Sequence, residues 1–337
     1  MKRKFLKILF AILIIIYAPF VFLYGFLFLG SVEPAQEITW GITFSHSQAE
    51  DLGLDWEQAY ISLLDELGAR NVRVPIYWDE LEKEQGQFDF SKWDWQLEEL
   101  EKREGKAILV VGFKQPRWPE CRFPDWYDHE TSQPAKDKQL FQMLRTVVSH
   151  YRDNPIVGAW QVENEPLFAF GVCPKADMGL LDAEIKLVRG LDSSRPIIVT
   201  DSGEWSLWYQ TGKRADVLGT TLYRVVHSPT LGFVSYDFFN PTFYARKASI
   251  LKFFKPDSRI IVSELQAEPW VADPPLSKNS LEEQYKTMSP EQFRQNMDFA
   301  RRTGFDEFYL WGAEWLVWLK NQGEMEIWDE ARKLFAE

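Results

Sequence analysis

The chain contains only two cysteines and four histidines in 337 residues. Neither cysteine lies at Cys-x-x-Cys spacing, and His46 has no second histidine near it. No metal site is therefore read from the sequence and no cofactor is expected. His46 reads as a hydrogen-bonding pocket residue. Also missing are a basic stripe, zinc-finger spacing, a Gly-rich phosphate loop, internal repeats and low-complexity tracts. The formal net charge is −12, and removing the four basic residues among the first seven leaves −16. So acidic a surface repels phosphate backbones, which excludes nucleic acid as a partner class.

An apolar fraction of 45%, with 15 Trp, 12 Tyr and 25 Phe, is ample for one large core. At the N-terminus Lys2, Arg3, Lys4 and Lys7 precede an uncharged run from Ile8 to Leu29. Those 22 residues, at about 1.5 Å rise each, reach about 33 Å as a helix, enough to cross the hydrocarbon layer. The run predicts a transmembrane anchor over residues 1–30. Basic residues before it and Glu33 and Glu37 after it predict a cytoplasmic N-terminus and an extracytoplasmic domain. The alternative is a cleaved signal peptide. Its apolar region would be shorter, although Gly30 and Ser31 are small enough for a cleavage site. In an oxidising compartment Cys121 and Cys173 are a candidate disulfide, with two free thiols as the other reading.

After a linker over 31–37, short apolar runs alternate with stretches of helical period, the signature of βαβ units around a parallel sheet. Eight strands are predicted, at 38–44, 72–77, 107–113, 156–162, 196–200, 217–223, 259–263 and 307–311. Helical patterns follow at 56–69, 93–103, 138–151, 180–191, 205–213, 243–254, 290–303 and 326–335, the fifth being short. Eight such units predict a single (β/α)8 TIM barrel over 38–337, whose working residues lie at the C-terminal strand ends and in the loops beyond.

The residues just past those strand ends include Ser45, His46, Trp78, Asp79, the stretch 114–118, Glu163, Glu165, Asp201, Arg224, Glu264 and Glu314. Two acids on different strands suit the cleavage of a glycosidic bond. One carboxylic acid protonates the leaving oxygen, while a second carboxylate attacks the anomeric carbon or activates water. Glu165, in Trp160-Gln161-Val162-Glu163-Asn164-Glu165-Pro166, ends the fourth strand, and Glu264, in Ile261-Val262-Ser263-Glu264, ends the seventh.

Asn-Glu-Pro after the fourth strand and a lone Glu ending the seventh resemble clan A of the glycoside hydrolases, which includes family 5 cellulases and family 42 β-galactosidases. The resemblance covers about residues 38 to 320. It implies Glu165 as acid/base, Glu264 as nucleophile and retention of anomeric configuration. It further implies that Arg73 lies near the nucleophile, Asn164 contacts the sugar 2-hydroxyl, Tyr223 hydrogen-bonds the nucleophile, and Trp311 forms the floor beneath the sugar. Val111 to Arg117 and Thr221 to Arg224 lack the histidines usual in family 5, and the 161–165 run and the 116–119 loop look closer to family 42.

An arginine inside Val72-Arg73-Val74 needs a buried acidic partner, and Glu264 would be one. That pairing would lower the Glu264 pKa, whereas Glu165 must be protonated part of the time, so opposite shifts are expected. Glu163 shares strand parity with Glu165 and reads equally as a salt-bridge residue; Glu268 and Glu314 are reserve acids. Trp78, Trp118, Trp205, Trp270 and Trp315 follow strand ends, where flat rings could stack on sugar, while Trp56, Trp93 and Trp95 fall in helical patterns and read as packing. The sequence thus predicts a membrane-anchored retaining glycosidase acting on an oligo- or polysaccharide. The rival readings are a non-catalytic carbohydrate-binding barrel and a transglycosylase using the same residues.

Overall fold

The computed structural model describes residues 2–129 and 132–336, without the side chains of 2, 4–9, 11–14, 16 and 128. Ten strands are present among the described residues: β1 (Thr39–Thr43), β2 (Asn71–Pro75), β3 (Lys106–Val111), β4 (Val157–Val162), β5 (Ile197–Asp201), β6 (Val217–Leu222), β7 (Val225–Ser228), β8 (Gly232–Ser235), β9 (Arg259–Gln266) and β10 (Glu307–Trp311). Eight of them close a parallel barrel in the order β1-β10-β9-β6-β5-β4-β3-β2, while β7 and β8 form an antiparallel hairpin between the sixth and seventh barrel strands. The predicted (β/α)8 barrel is therefore the fold. The hairpin was not predicted, because its four-residue strands are half-exposed and carry no sustained alternation.

Several barrel helices begin where their caps dictate. Asp55 accepts from the backbone amides of Glu57 and Gln58, opening Trp56–Asp65. Asn240 and Ser289 cap Pro241–Phe254 and Pro290–Arg301, each with proline in the first turn, where its missing N–H costs nothing. The fifth helix shrinks to Tyr209–Gly212. Trp208 before it takes a left-handed φ of 64° and donates its indole N–H to Ser202 O at 2.9 Å, which holds the preceding chain out of helix.

Inside the barrel, Ile108, Ala159, Ile198, Val217, Ile261 and Tyr309 form an apolar cluster from the first halves of the strands. Above it lies a buried polar layer of Thr43, Arg73, Gln161, Thr200 and Ser263. β9 continues past its predicted end at Ser263 through a bulge. Thr220 pairs with Val262 but Thr221 with Glu264, and on the other side Phe308 pairs with Val262 but Leu310 with Leu265. The extra residue re-aims the strand at Glu264, as bulges beside functional sites commonly do.

The N-terminal helix runs from Lys2 to Phe28. Among the described residues no helix is long and apolar enough to cross a membrane. Part of the expected span, at 8, 9, 11–14 and 16, lies outside the described side chains, so the anchor rests on the sequence alone. The end of this helix is tied to the barrel: Asn240 Nδ2 donates to Phe28 O at 2.8 Å, and the Phe28 and Phe243 rings stack at 5.3 Å.

Cys121 and Cys173 are joined, with Cα atoms 5.2 Å apart, and link the loop after β3 to the loop after β4. The bridge closes a separation of 52 residues. Replacing both cysteines by serine is expected to lower unfolding stability by about 2–4 kcal/mol. Denaturant unfolding measures this; no change in midpoint would show the loops to be held without the bridge.

Candidate active site

The site is organised from below by Arg73, which has no solvent exposure. Its Nη1 donates to Glu264 Oε1 at 3.0 Å, its Nη2 to Asn164 Oδ1 at 2.7 Å and its Nε to Gln161 Oε1 at 2.7 Å. One planar cation on β2 thus fixes groups on β4, β9 and the turn after β4, as a fork of donors is suited to do. Tyr223, just past β6, donates its hydroxyl to Glu264 Oε2 at 2.9 Å. Both nucleophile-candidate oxygens are held, one by a cation and one by a phenol. Burial and then the Glu264 charge push the Tyr223 pKa well up, so the hydroxyl keeps its proton.

Glu165 is nearly buried, at 6% exposure. Its amide donates to Thr200 Oγ1 at 2.8 Å, and its own carbonyl accepts from Lys114 Nζ at 2.9 Å. Its carboxyl pKa is raised well above the usual value, first by burial, then by the charges of Glu264 and Glu120, with Lys114 opposing. A carboxyl so placed gives up its proton less readily than an exposed one.

Glu163 does not face the site. It turns back under the loop after β3, where its oxygens accept from the amides of Phe113 and Lys114 at 3.0 and 2.5 Å. Gly112 makes this possible: at φ 117°, a Cβ there would lie 2.1 Å from Glu163 Oε1. Burial raises Glu163 to about 7 against these bonds, and Glu184 on the helix Met178–Leu191 is raised further by burial and by Glu163 itself. These two acids brace the loops rather than act on a ligand.

A second cluster crosses the mouth. Arg117, from the loop after β3, pairs with Glu268 and, at 2.7 Å, with Glu314. Its guanidinium lies 4.1 Å from the centroid of Trp311. Trp311 is therefore at the site, but one face of its ring is covered by a cation, not open to sugar. Glu120 stands beside the pair of candidate carboxylates and forms an ion pair with Lys114 at 3.2 Å. Its pKa is pushed to about 7, chiefly by burial, with Lys114 opposing and Glu264 reinforcing.

The predicted tryptophans separate. Trp118 is 66% exposed at the rim, but Trp78 is fully buried, donates to Glu82 Oε2 and packs on Phe123 and Tyr127. Trp78 is thus a packing residue and not a sugar platform, because the short helix Trp78–Leu81 turns its ring inward. Trp315 is likewise buried. Glu120 was missed, since a single acid in an aperiodic loop gives no periodic signal. Arg117, Glu120, Glu163 and Glu165 are four of the six non-glycine residues with positive φ among the described residues. Such backbone costs about 1–3 kcal/mol per residue and gathers at functional sites.

Comparison with known proteins gives a consistent picture. The β-galactosidase family of glycoside hydrolase family 42 matches residues 54–177, a stretch that contains Arg73, Asn164 and Glu165 and stops before Glu264. The chain is 29% identical over 126 residues, 31% of its length, to β-galactosidase BbgII of Bifidobacterium bifidum. It is 31% identical over 83 residues, 23% of its length, to a probable mannan endo-1,4-β-mannosidase A of Aspergillus niger. It spans only 18% and 19% of these two relatives' own lengths. Solved structures sharing the barrel include a β-galactosidase from Halorubrum lacusprofundi, with TM-score 0.57 and 17% identity over 81% of this chain and 52% of that one. Xylanase 10B of Thermotoga petrophila aligns with TM-score 0.56 and 15% identity over 84% of this chain and 86% of that one. The resemblance to clan A of the glycoside hydrolases is borne out.

The Glu163–Glu184 pair gives a pH test of the bracing. Burial holds both carboxyls above their ordinary 4.5, Glu163 at about 7, so the pair's contribution to stability is complete below 4.5 and is lost as pH rises through 7. Replacing both acids by glutamine is expected to flatten the decline of melting temperature across that window. Parallel profiles for the two proteins would contradict the buried bracing role.

Proposed function

We propose that this barrel is a retaining glycosidase acting by double displacement. Glu264 attacks the anomeric carbon while Glu165 protonates the departing oxygen, giving a glycosyl ester on Glu264. Glu165, now deprotonated, takes a proton from water as the water attacks and frees the Glu264 carboxylate. The observation that carries this reading is the Arg73 fork, which ties Glu264 and Asn164 to one buried cation, while burial and the charges of Glu264 and Glu120 raise the proton affinity of Glu165. Arg73 and Tyr223 hold the two Glu264 oxygens, and Asn164 is left to meet the sugar beside the reacting carbon. A binding-only barrel has no need of one carboxyl clamped by Arg73 and Tyr223 facing a second whose proton affinity is raised, which favours the catalytic reading over that rival.

The substrate in this reading is an oligo- or polysaccharide outside the cytoplasm, with the chain anchored by its N-terminal helix and that helix's start in the cytoplasm. The uncharged run 8–29 after four basic residues supports the anchor, and the Cys121–Cys173 bridge fits an oxidising compartment.

On aryl glycosides of several sugars, Glu165→Gln is expected to lose about 10²–10⁴-fold in kcat with poor leaving groups and to lose the alkaline limb of the pH profile. Glu264→Ala is expected to abolish turnover. Proton NMR of the first-formed sugar is expected to show the substrate's own anomer. An inverted first product would refute double displacement, and unimpaired turnover by Glu264→Ala would remove Glu264 from the chemistry.

A further inference from the structure

The barrel carries its exposed apolar side chains unevenly. After residue 29, nine of the fourteen large apolar side chains exposed among the described residues lie between Trp205 and Phe254, in the fifth and sixth units of the barrel. Leu207 is 88% and Phe253 81% exposed. Scattered singly, such residues need no explanation; gathered on one flank they mark a surface that meets something apolar.

The flank is continuous. The Phe238 ring lies 4.7 Å from Phe28 and 5.5 Å from Phe239, and Phe239 lies 5.6 Å from Trp205. Leu207 follows two residues on, and the Tyr209 ring beyond it lies 5.2 Å from Phe254, itself 5.2 Å from Phe253. Barrel helices run back from the mouth to the base, so this row descends from the loops after β5 and β6 to the far end of the helix Pro241–Phe254.

The flank is also basic in an acidic protein. Residues 205–255 hold seven Lys and Arg against two acids, Asp216 and Asp237, while the whole chain carries −12. Arg224 and Lys247 are buried and Arg214 is paired with Asp182 at 2.6 Å, which leaves Lys213, Arg246, Lys252 and Lys255. Lys252 directly precedes Phe253 and Phe254, and Lys213 lies 5.3 Å from the centroid of the Tyr209 ring. Basic side chains beside exposed rings suit an anionic lipid surface, where the rings enter the headgroup layer and the ammonium groups meet its phosphates.

The N-terminal helix meets the barrel on this same flank. Besides the Phe28 contacts, Thr242 donates its hydroxyl to Gly30 O at 3.0 Å, and the Arg246 guanidinium lies 5.3 Å from the Phe26 centroid. Leu29, the last residue of the uncharged run, is thereby fastened beside the start of the helix Pro241–Phe254. A span that ends there brings the bilayer surface to this flank and not to the opposite side of the barrel.

We propose that the flank bearing Trp205, Leu207, Phe238, Phe253 and Phe254 rests on an anionic lipid surface, so that the barrel lies on its side against the membrane. This rests on the membrane-anchor reading above and extends it from a tether to a fixed pose. The helix Pro241–Phe254, 14 residues and about 21 Å long, then lies along the bilayer. The mouth opens along the membrane, where glycans held at its surface can reach the cleft.

The test uses the full chain in vesicles of phosphatidylcholine and phosphatidylglycerol. Leu207→Cys, Phe253→Cys, Glu98→Cys and Phe22→Cys each carry one fluorophore, the native cysteines being closed in their disulfide. Glu98 is exposed on the helix Ser91–Glu101 after β2, and β2 stands opposite β6 in the barrel order. Nitroxide-bearing lipid is expected to quench the Leu207 and Phe253 labels severalfold more than the Glu98 label. Equal quenching of the three, with the Phe22 label quenched, would overturn the proposal and leave the anchor standing. An unquenched Phe22 label would bring down the anchor, and the proposal with it. Labels at Leu207 and Phe253 shielded from aqueous iodide yet unquenched by the lipid would show the flank covered by a second copy instead. Lys213→Glu together with Lys252→Glu is expected to lower the quenching ratio about fivefold or more. An unchanged ratio would overturn the assignment to anionic lipid.

Discussion

The guanidinium of Arg73 sits inside the barrel without access to water, and a cation there is tolerable only if every donor finds an acceptor. That requirement shapes the upper half of the barrel. Glu264 supplies the compensating charge, Asn164 and Gln161 take the other two directions, and Ser263 O and Thr43 Oγ1 stand at 3.3 and 3.4 Å. These acceptors come from β1, β4, β9 and the turn after β4, so the same set that makes the arginine bearable fixes the two carboxyl-bearing strand ends against each other. An apolar layer of Ile108, Ile198, Ile261 and their neighbours lies beneath it.

The second constraint is crowding of acids. Glu120, Glu165, Glu264, Glu268 and Glu314 are all buried around one mouth, and like charges so placed cannot all ionise cheaply. The fold divides them by partner. Arg73 takes Glu264, Arg117 takes Glu268 and Glu314, Lys114 takes Glu120, and Glu165 is left without a cation of its own. Burial and the charges of Glu264 and Glu120 raise the proton affinity of Glu165, with only Lys114 opposing. The left-handed backbone at Glu165, Arg117 and Glu120 is the local cost of aiming these groups inward from loops.

The barrel was legible because each strand reads as a short apolar run and most helices carry a cap or a proline start. Arg73 was legible for the opposite reason: a charge inside Val72-Arg73-Val74 contradicts its surroundings and demands a partner. What escaped lay in loops. Nothing in the residues 114–121 announces that Arg117 crosses the mouth while its neighbour Trp118 turns to the rim, since that depends on the left-handed φ at Arg117 and on the bridge at Cys121. Trp78 failed as a platform on similar grounds. It follows a strand end as the others do, yet one helical turn buries it against Phe123 and Tyr127. Strand position alone does not separate a ring facing the cleft from one facing the core.

The loop after β3 therefore carries more of the site than its sequence suggests. Its backbone is propped from below by Glu163, which accepts two of its amides, and tied sideways by the disulfide to the loop that follows Glu165. Between those two restraints it places Lys114 under the Glu165 carbonyl, Glu120 beside the carboxyl pair, Arg117 over Trp311 and Trp118 on the rim. One segment thus contributes to the proton affinity of Glu165 and to the shape of the barrel mouth. A shift of this loop would alter proton affinity at Glu165 and the packing over Trp311 together, because both depend on the same short stretch of chain.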